Sequence, residues 1–258
     1  MLPGGDRPPL TARSVVASVL LGTEPPVMPS RALVRAGALF GLADGAVRTA
    51  VSRMVAHDEL RRRDDGRYEL AGHLVDRQAR QLASRRPALR RWGGHWEMWV
   101  VGAAARSAAE RAELRTAASA LHLGELRDGV WLRPDNLRRS QFGGSREVVV
   151  EQAHRFTTQP DHDTDLVGQL WDLRRWTSEA LRLRREMATL HGRLNADDTD
   201  ALPLGFILAA TVLRHLNKDP LLPPELLPRD WQGARLRSDY ESYDDSYSAL
   251  LRRWLQQN

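Results

Sequence analysis

The sequence predicts an α+β chain in three parts: a head of helices and one hairpin, a mixed middle, and a helical tail. Three observations predict it. The first third holds three segments with apolar residues at helix spacing and then a basic strand–turn–strand, "LRRRDDGRYEL" (Leu60 to Leu70). The middle alternates strand, helix, strand, strand. The rest carries long amphipathic or apolar runs at a 3.6-residue period.

In the head, "TARSVVASVLLG" has helical spacing and "TEPPVMP" is expected to be a loop. Ser30 is placed to cap a second helix, "RALVRAGALFG", and Asp44 a third that runs to about His57. The short turn "GLAD" joins the second and third helices. Asp65-Gly66 supplies the tight turn of the hairpin, with Tyr68 and Leu70 on the returning strand. Helix, helix, helix, hairpin is the order of a winged helix-turn-helix, whose third helix enters the major groove.

That third helix, "GLADGAVRTAVSRM", sets Val47, Val51, Met54 and Val55 to the core. It leaves Arg48, Thr49, Ser52 and Arg53 as a polar face. An arginine there can meet guanine bidentately, and hydroxyls can meet bases or phosphates. The wing offers Arg61, Arg62, Arg63 and Arg67 to phosphate or the minor groove. The charge agrees. Residues 1–91 hold 16 arginines against 9 acids, whereas the remainder holds 22 basic and 24 acidic residues. A positive excess confined to one third fits a polyanion-binding segment.

An arginine-rich helix and connector, "GHLVDRQARQLASRRPALRRW", leads to the middle part. There "HWEMWVVG" is expected as a strand and "RSAAERAELRTAASALHL" as a helix. "GELRDGVWLRP" and "REVVVEQAHRF" are expected as strands. This order predicts a ferredoxin-like middle domain. Helix resumes at Asp163 with "DLVGQLWDLRRWTSEALRLRREMATLHG". It continues through the apolar run Ala201 to Leu213 and, beyond a proline-rich connector, ends in a C-terminal helix. The expected domains are therefore 1–91 (winged helix-turn-helix with connector helix), 92–160 (ferredoxin-like) and 161–258 (helical, for dimerisation and effector binding).

Bulk features narrow the function. The 258 residues include no cysteine, which excludes disulfides and cysteine-based zinc sites and fits a reducing cytoplasm. The longest apolar run is 13 residues against the roughly 20 that a membrane span needs. No Walker loop, GxGxxG or HExxH pattern is present, so no cofactor is expected. "FGGS" (Phe142 to Ser145) is expected to be a turn. "PDHDTD" (Pro160 to Asp165) gathers His162 among Asp161, Asp163 and Asp165, but neighbours in one loop converge poorly on a metal. Acids at a helix start are favoured by its dipole in any case.

Three blocks of the chain together resemble the PaaX family, named for repressors of phenylacetate-degradation operons. They are "AVRTAVSRMVAHDELRRRDDGRYEL", "WGGHWEMWVV" with "GELRDGVWLRP", and "LWDLRRW" with "RHLNKDPLLPPELLPRDWQGA". The resemblance implies a double-stranded DNA operator, a homodimer, and a repressor released by an acyl-CoA-type or aromatic-acid effector. It implies no catalysis. Under it, Trp99, Trp131 and Trp176 serve either as core anchors or as the lining of an effector pocket. Arg214 and His215 stand either as satisfied surface residues or as partners of an anionic ligand. The alternative is a metal-dependent nucleic-acid enzyme, because the middle domain also resembles a small CRISPR adaptation protein. Such chemistry needs an acid at the end of the first strand, where this chain has "WVVGAAA".

Overall fold

The computed structural model describes residues 10–102, 106–138 and 143–257. The Pro/Gly-rich leader up to residue 9, Ala103 to Ala105 after the first strand of the middle part, and Phe142 lie outside the described residues.

Thr11 begins the head by capping α1 (Ala12–Leu21): its Oγ1 accepts the Ser14 amide at 3.1 Å. "VMP", expected in a loop, forms β1 (Val27–Pro29) because β3 (Arg67–Leu70) offers it an antiparallel partner; β2 (Leu60–Arg62) pairs on the other side of β3. The sheet order is β1-β3-β2. α2 (Ser30–Ala38) and α3 (Asp44–Ala56) begin one residue earlier than their expected caps allow. Pro29 and Ala43 hold the cap positions, and neither Ser30 nor Asp44 caps with its side chain. Asp44 instead places a negative charge in the first turn of α3. Gly41, at φ +69°, makes the turn between α2 and α3. Gly37 sets their close crossing, since a Cβ there would stand 2.5 Å from Val47 Cγ2. Val15, Leu20, Leu33, Val47, Val51, Met54 and Leu60 fill the core beneath. α4 (His73–Arg85) follows the hairpin.

The middle part runs β4 (Trp96–Val101), α5 (Ala108–Ala120), β5 (Gly124–Arg127), β6 (Val130–Pro134), α6 (Gly143–Gln152), β7 (Ala153–Thr158). Its antiparallel sheet has the order β5-β6-β4-β7, that of a ferredoxin-like βαββαβ unit. Two local expectations change. "GELRDGVWLRP" is a hairpin of two strands. "REVVVEQAHRF" is helix and then strand: its valines look like a strand in isolation, but Val149 packs as the core position of a helix, in one cluster with Leu114 of α5 and Trp99. Gly143 to Ser145 of the expected turn belong to that helix.

Ser107 and Glu110 form a capping box at the start of α5. The sheet buries apolar residues on both faces. Trp99 and Trp131 lie among α5 and α6, whereas Trp96, Val130 and Leu132 lie against α7 (Asp163–Leu170). Asp163 Oδ1 accepts from the buried Trp96 indole at 2.7 Å, which accounts for this acid in "PDHDTD".

α8 (Leu173–Asn195) restarts after a break at Trp171, where Asp172 Oδ1 accepts the Arg175 amide at 2.9 Å. α9 (Leu202–Leu216) holds the apolar run, with Pro203 in its first turn, where its missing N–H costs nothing. α10 (Gly233–Gln257) closes the chain.

The chain divides into two units. One comprises Met1–Ala79, Ala188–Ala210 and Ser242–Asn258; the other comprises Arg80–Met187 and Thr211–Glu241. In the first, Phe40 packs on Phe206 at 4.9 Å, Arg35 donates to the Leu255 carbonyl at 2.6 Å, and Tyr243 Oη donates to the Gly205 carbonyl at 2.9 Å. Among the described residues no helix is long and apolar enough to cross a membrane.

Candidate nucleic-acid interface

α3 is fixed by the three residues it buries, Val47, Val51 and Met54. Their spacing turns the other side outward, and Arg48, Thr49, Ser52 and Arg53 are all exposed. Arg48 and Arg53, five residues apart, leave the helix roughly 140° from one another, with Thr49 and Ser52 between them. Val55, expected in the core, is 38% exposed and joins the Arg48 flank. On the Arg53 flank a groove of about 470 Å³ runs between α3 and the start of α1, bordered by Thr11, Arg13, Thr49, Arg53, His57 and Glu59. Sequence reasoning had passed over Arg13, His57 and Glu59, because nothing local marks residues 46 positions apart as neighbours.

Arg13 and Glu59 explain how that flank is held. Glu59 is buried, and its carboxylate accepts from Arg13 Nε at 2.8 Å. The hydrogen bond from Arg13 holds the Glu59 carboxyl below the usual carboxylate range, against the opposing effect of burial. The pair ties the first turn of α1 to the short segment between α3 and β2.

The wing is less basic than its arginines imply. Four arginines stand with Asp64, Asp65 and Glu69. Arg61 donates to Glu69 at 2.7 Å and Arg63 to the same carboxylate at 3.1 Å. Asp65 accepts from the amide and Nε of Arg67 at 3.0 and 2.8 Å. Arg62 makes no ion pair among the described residues, and neither do Arg48 and Arg53. On α3 and the wing, three guanidinium groups are thus exposed and uncompensated, two on α3 and one on the wing.

The residues singled out for an effector fall into two groups. Trp99 and Trp131 stand opposite one another on β4 and β6, buried in the helix-facing core with Leu114, Leu121 and Val149. Trp176 lies in a second group, stacked on His215 at 4.4 Å and on Trp231 at 4.2 Å. Its indole donates to the His215 carbonyl at 3.3 Å, and burial holds the His215 ring below the usual histidine range. Arg214, next in the chain, is exposed and donates to Thr211 Oγ1 at 3.1 Å.

The buried charges of the middle part serve its core. Glu97 lies between Arg146 at 3.1 Å and Arg155 at 3.3 Å. Arg133, wholly buried, donates to the carbonyls of Leu121 and Leu221 and to Asn136 Oδ1. Among the described residues no three His, Asp or Glu side chains are grouped as a metal site.

Three family models match the chain: PaaX-like protein over residues 11–74, PaaX protein central Cas2-like domain over 89–165, and PaaX-like protein C-terminal domain over 171–257. Among solved structures, the chain is similar to the uncharacterized protein Rv0674 from Mycobacterium tuberculosis. The two share 40% identity over 94% of this chain and 98% of that one, with a TM-score of 0.73. No curated protein matches.

Proposed function

The chain belongs to the PaaX family, a family of transcriptional regulators, and on that premise we propose that it is a dimeric repressor that reads its operator with α3. One observation carries the reading: α3 turns Arg48, Thr49, Ser52 and Arg53 outward, with both arginines unpaired among the described residues. Arg48 and Arg53 flank a hydroxyl-bearing strip, a layout suited to guanine contacts beside base or phosphate contacts. Arg62 extends the cationic surface to the wing. Arg63 and Arg67 are engaged by acids and contribute less to phosphate attraction.

In this reading residues 1–91 bind DNA, 92–160 form the ferredoxin-like part, and 161–258 complete the regulator. The 167 residues beyond the head provide for dimerisation and for release by an acyl-CoA or aromatic-acid effector. Arg214, exposed and next in the chain to His215, is the cation assigned to meet an anionic effector. Trp99 and Trp131 support the fold.

The test is a gel shift with the DNA upstream of the chain's own gene, at fixed salt and with Mg²⁺ present. A shift that survives excess random duplex, without cleavage, is the expected result. Equal binding to random duplex overturns operator reading. Cleavage favours the nucleic-acid enzyme. CoA thioesters and free acids added to the same complex test release.

A further inference from the structure

The groove between α1 and α3 is built in two layers. Its floor holds Ala12, Ala50 and Met54, half-buried or buried, and its edge holds Thr11, Thr49, Arg53 and His57, all exposed. Where α3 begins, the wall is Gly45 and Ala46, with no side chain beyond a methyl. A Cβ added to Gly45 would meet nothing within 4 Å outside its own helix. An apolar floor under an edge of cations and hydroxyls matches a strand of deoxyribose and phosphate. The sugars are largely apolar, and the phosphates take N–H and O–H donors. Glu59, the acid among the lining residues, would repel such a strand. It is instead engaged by Arg13 and lies 3.8 Å from His73 Nε2. Arg53 makes no ion pair among the described residues, so its charge is open to the groove.

We propose that this groove seats one sugar–phosphate strand of the operator, with Thr11, Arg53 and His57 on its phosphates and the floor against deoxyribose. This rests on the operator reading above and deepens it, because it divides the polar face of α3 between two tasks. A helix 10–12 Å across nearly fills a major groove about 12 Å wide, so its flanks lie close to the backbone strands. Thr49, Arg53 and His57 share the flank that borders the groove and take a strand. Arg48 and Ser52, on the other flank, are left to the bases. The Arg13–Glu59 pair then serves binding as well as stability. Arg13 cancels a buried carboxylate that would otherwise face phosphate, and it is held at the groove without being free to enter it.

Fluorescence anisotropy titrations of the full chain with operator and random duplexes, over a salt series at pH 7, test the groove. Glu59→Gln removes the carboxylate and releases Arg13. It should tighten binding to every duplex severalfold and raise the salt slope by about one unit. The direction discriminates, since a merely structural loss would weaken binding. Ala12→Glu puts an acid in the first turn of α1, where the helix dipole favours it. It should weaken every duplex about tenfold or more, with thermal unfolding unchanged. Single operator phosphates replaced by neutral methylphosphonate should include one whose loss costs wild type about tenfold and costs Arg53→Ala almost nothing. Operator binding that neither Glu59→Gln nor Ala12→Glu alters, with no such phosphate, overturns the groove and leaves α3 reading in place. Equal binding to operator and random duplex, with the variant effects intact, keeps the groove and overturns operator reading. A wild type that binds no duplex overturns both.

Discussion

Leu221 and Leu222, adjacent in the chain, fill opposite sides of the ferredoxin-like sheet. Leu221 joins the cluster of Trp99 and Trp131, and Leu222 joins that of Trp96 and Leu132. The backbone must turn sharply between them. Leu221 adopts φ +52°, held by its amide donating to Asp219 Oδ1 at 2.9 Å and its carbonyl accepting from Asn136 and Arg133. Leu222→Ala should therefore empty one face without disturbing the other, at a cost of about 2–4 kcal/mol. Urea unfolding should show the loss, and a variant within about 0.5 kcal/mol of wild type would refute the assigned packing.

The elements legible in the sequence were those whose period and turns are local. The hairpin around Asp65-Gly66, the strand at Trp96 and the apolar helix after Ala201 are examples. What escaped depends on distant partners. "VMP" is a strand only because β3 pairs with it. "REVVV" is a helix because α5 lies beside it, against the β preference of its valines. The outward residues of α3 were legible because Val47, Val51 and Met54 mark the buried side. The neutralisation of Arg63 and Arg67 required the cross-strand position of Glu69 and the turn geometry of Asp65. The capping roles given to Ser30 and Asp44 failed by one residue, the usual scale of error when a cap is assigned without its backbone conformation.

Arg48 and Arg62 should differ in what they lose. Arg48→Ala should cost about 1–3 kcal/mol at the operator and relax preference at one base pair. Arg62→Ala should weaken all sequences alike and lower the salt slope by about one unit. Arg63→Ala should lower it less, since Glu69 already engages that guanidinium. Binding titrations across a salt series separate the three. An Arg48→Ala protein that binds as wild type does would remove α3 from the interface.

The Arg13–Glu59 pair makes the head sensitive to acid. Glu59 titrates below its ordinary 4.5 in the folded chain. Its contribution is therefore complete at neutral pH and is lost as pH falls through that depressed value. Arg13 is half exposed and screened, so Glu59→Gln should cost about 1 kcal/mol at pH 7. The difference between variant and wild type should shrink as pH falls below 4.5. A constant difference across that range would assign Glu59 a packing role instead.

His122 sets a second, separate pH window. It occupies a left-handed position, at φ 55°, between α5 and β5. Burial and the nearby Arg133 push its imidazole down to about 3 from the usual 6.5, so it stays neutral when folded. Between those values the unfolded chain binds a proton that the folded chain refuses, so stability falls as pH drops from 7 to 5. The full shift corresponds to about 2 kcal/mol over that interval, but the residue is only partly buried, which reduces the expected loss to about 1 kcal/mol. His122→Asn keeps a side chain that tolerates the left-handed backbone and removes the titrating group. Urea unfolding at pH 7 and pH 5 should then show a smaller loss for the variant than for wild type. Glu59 remains ionised across this interval, so it does not confound the comparison. Equal losses in the two proteins would mean that His122 accepts its proton without unfolding.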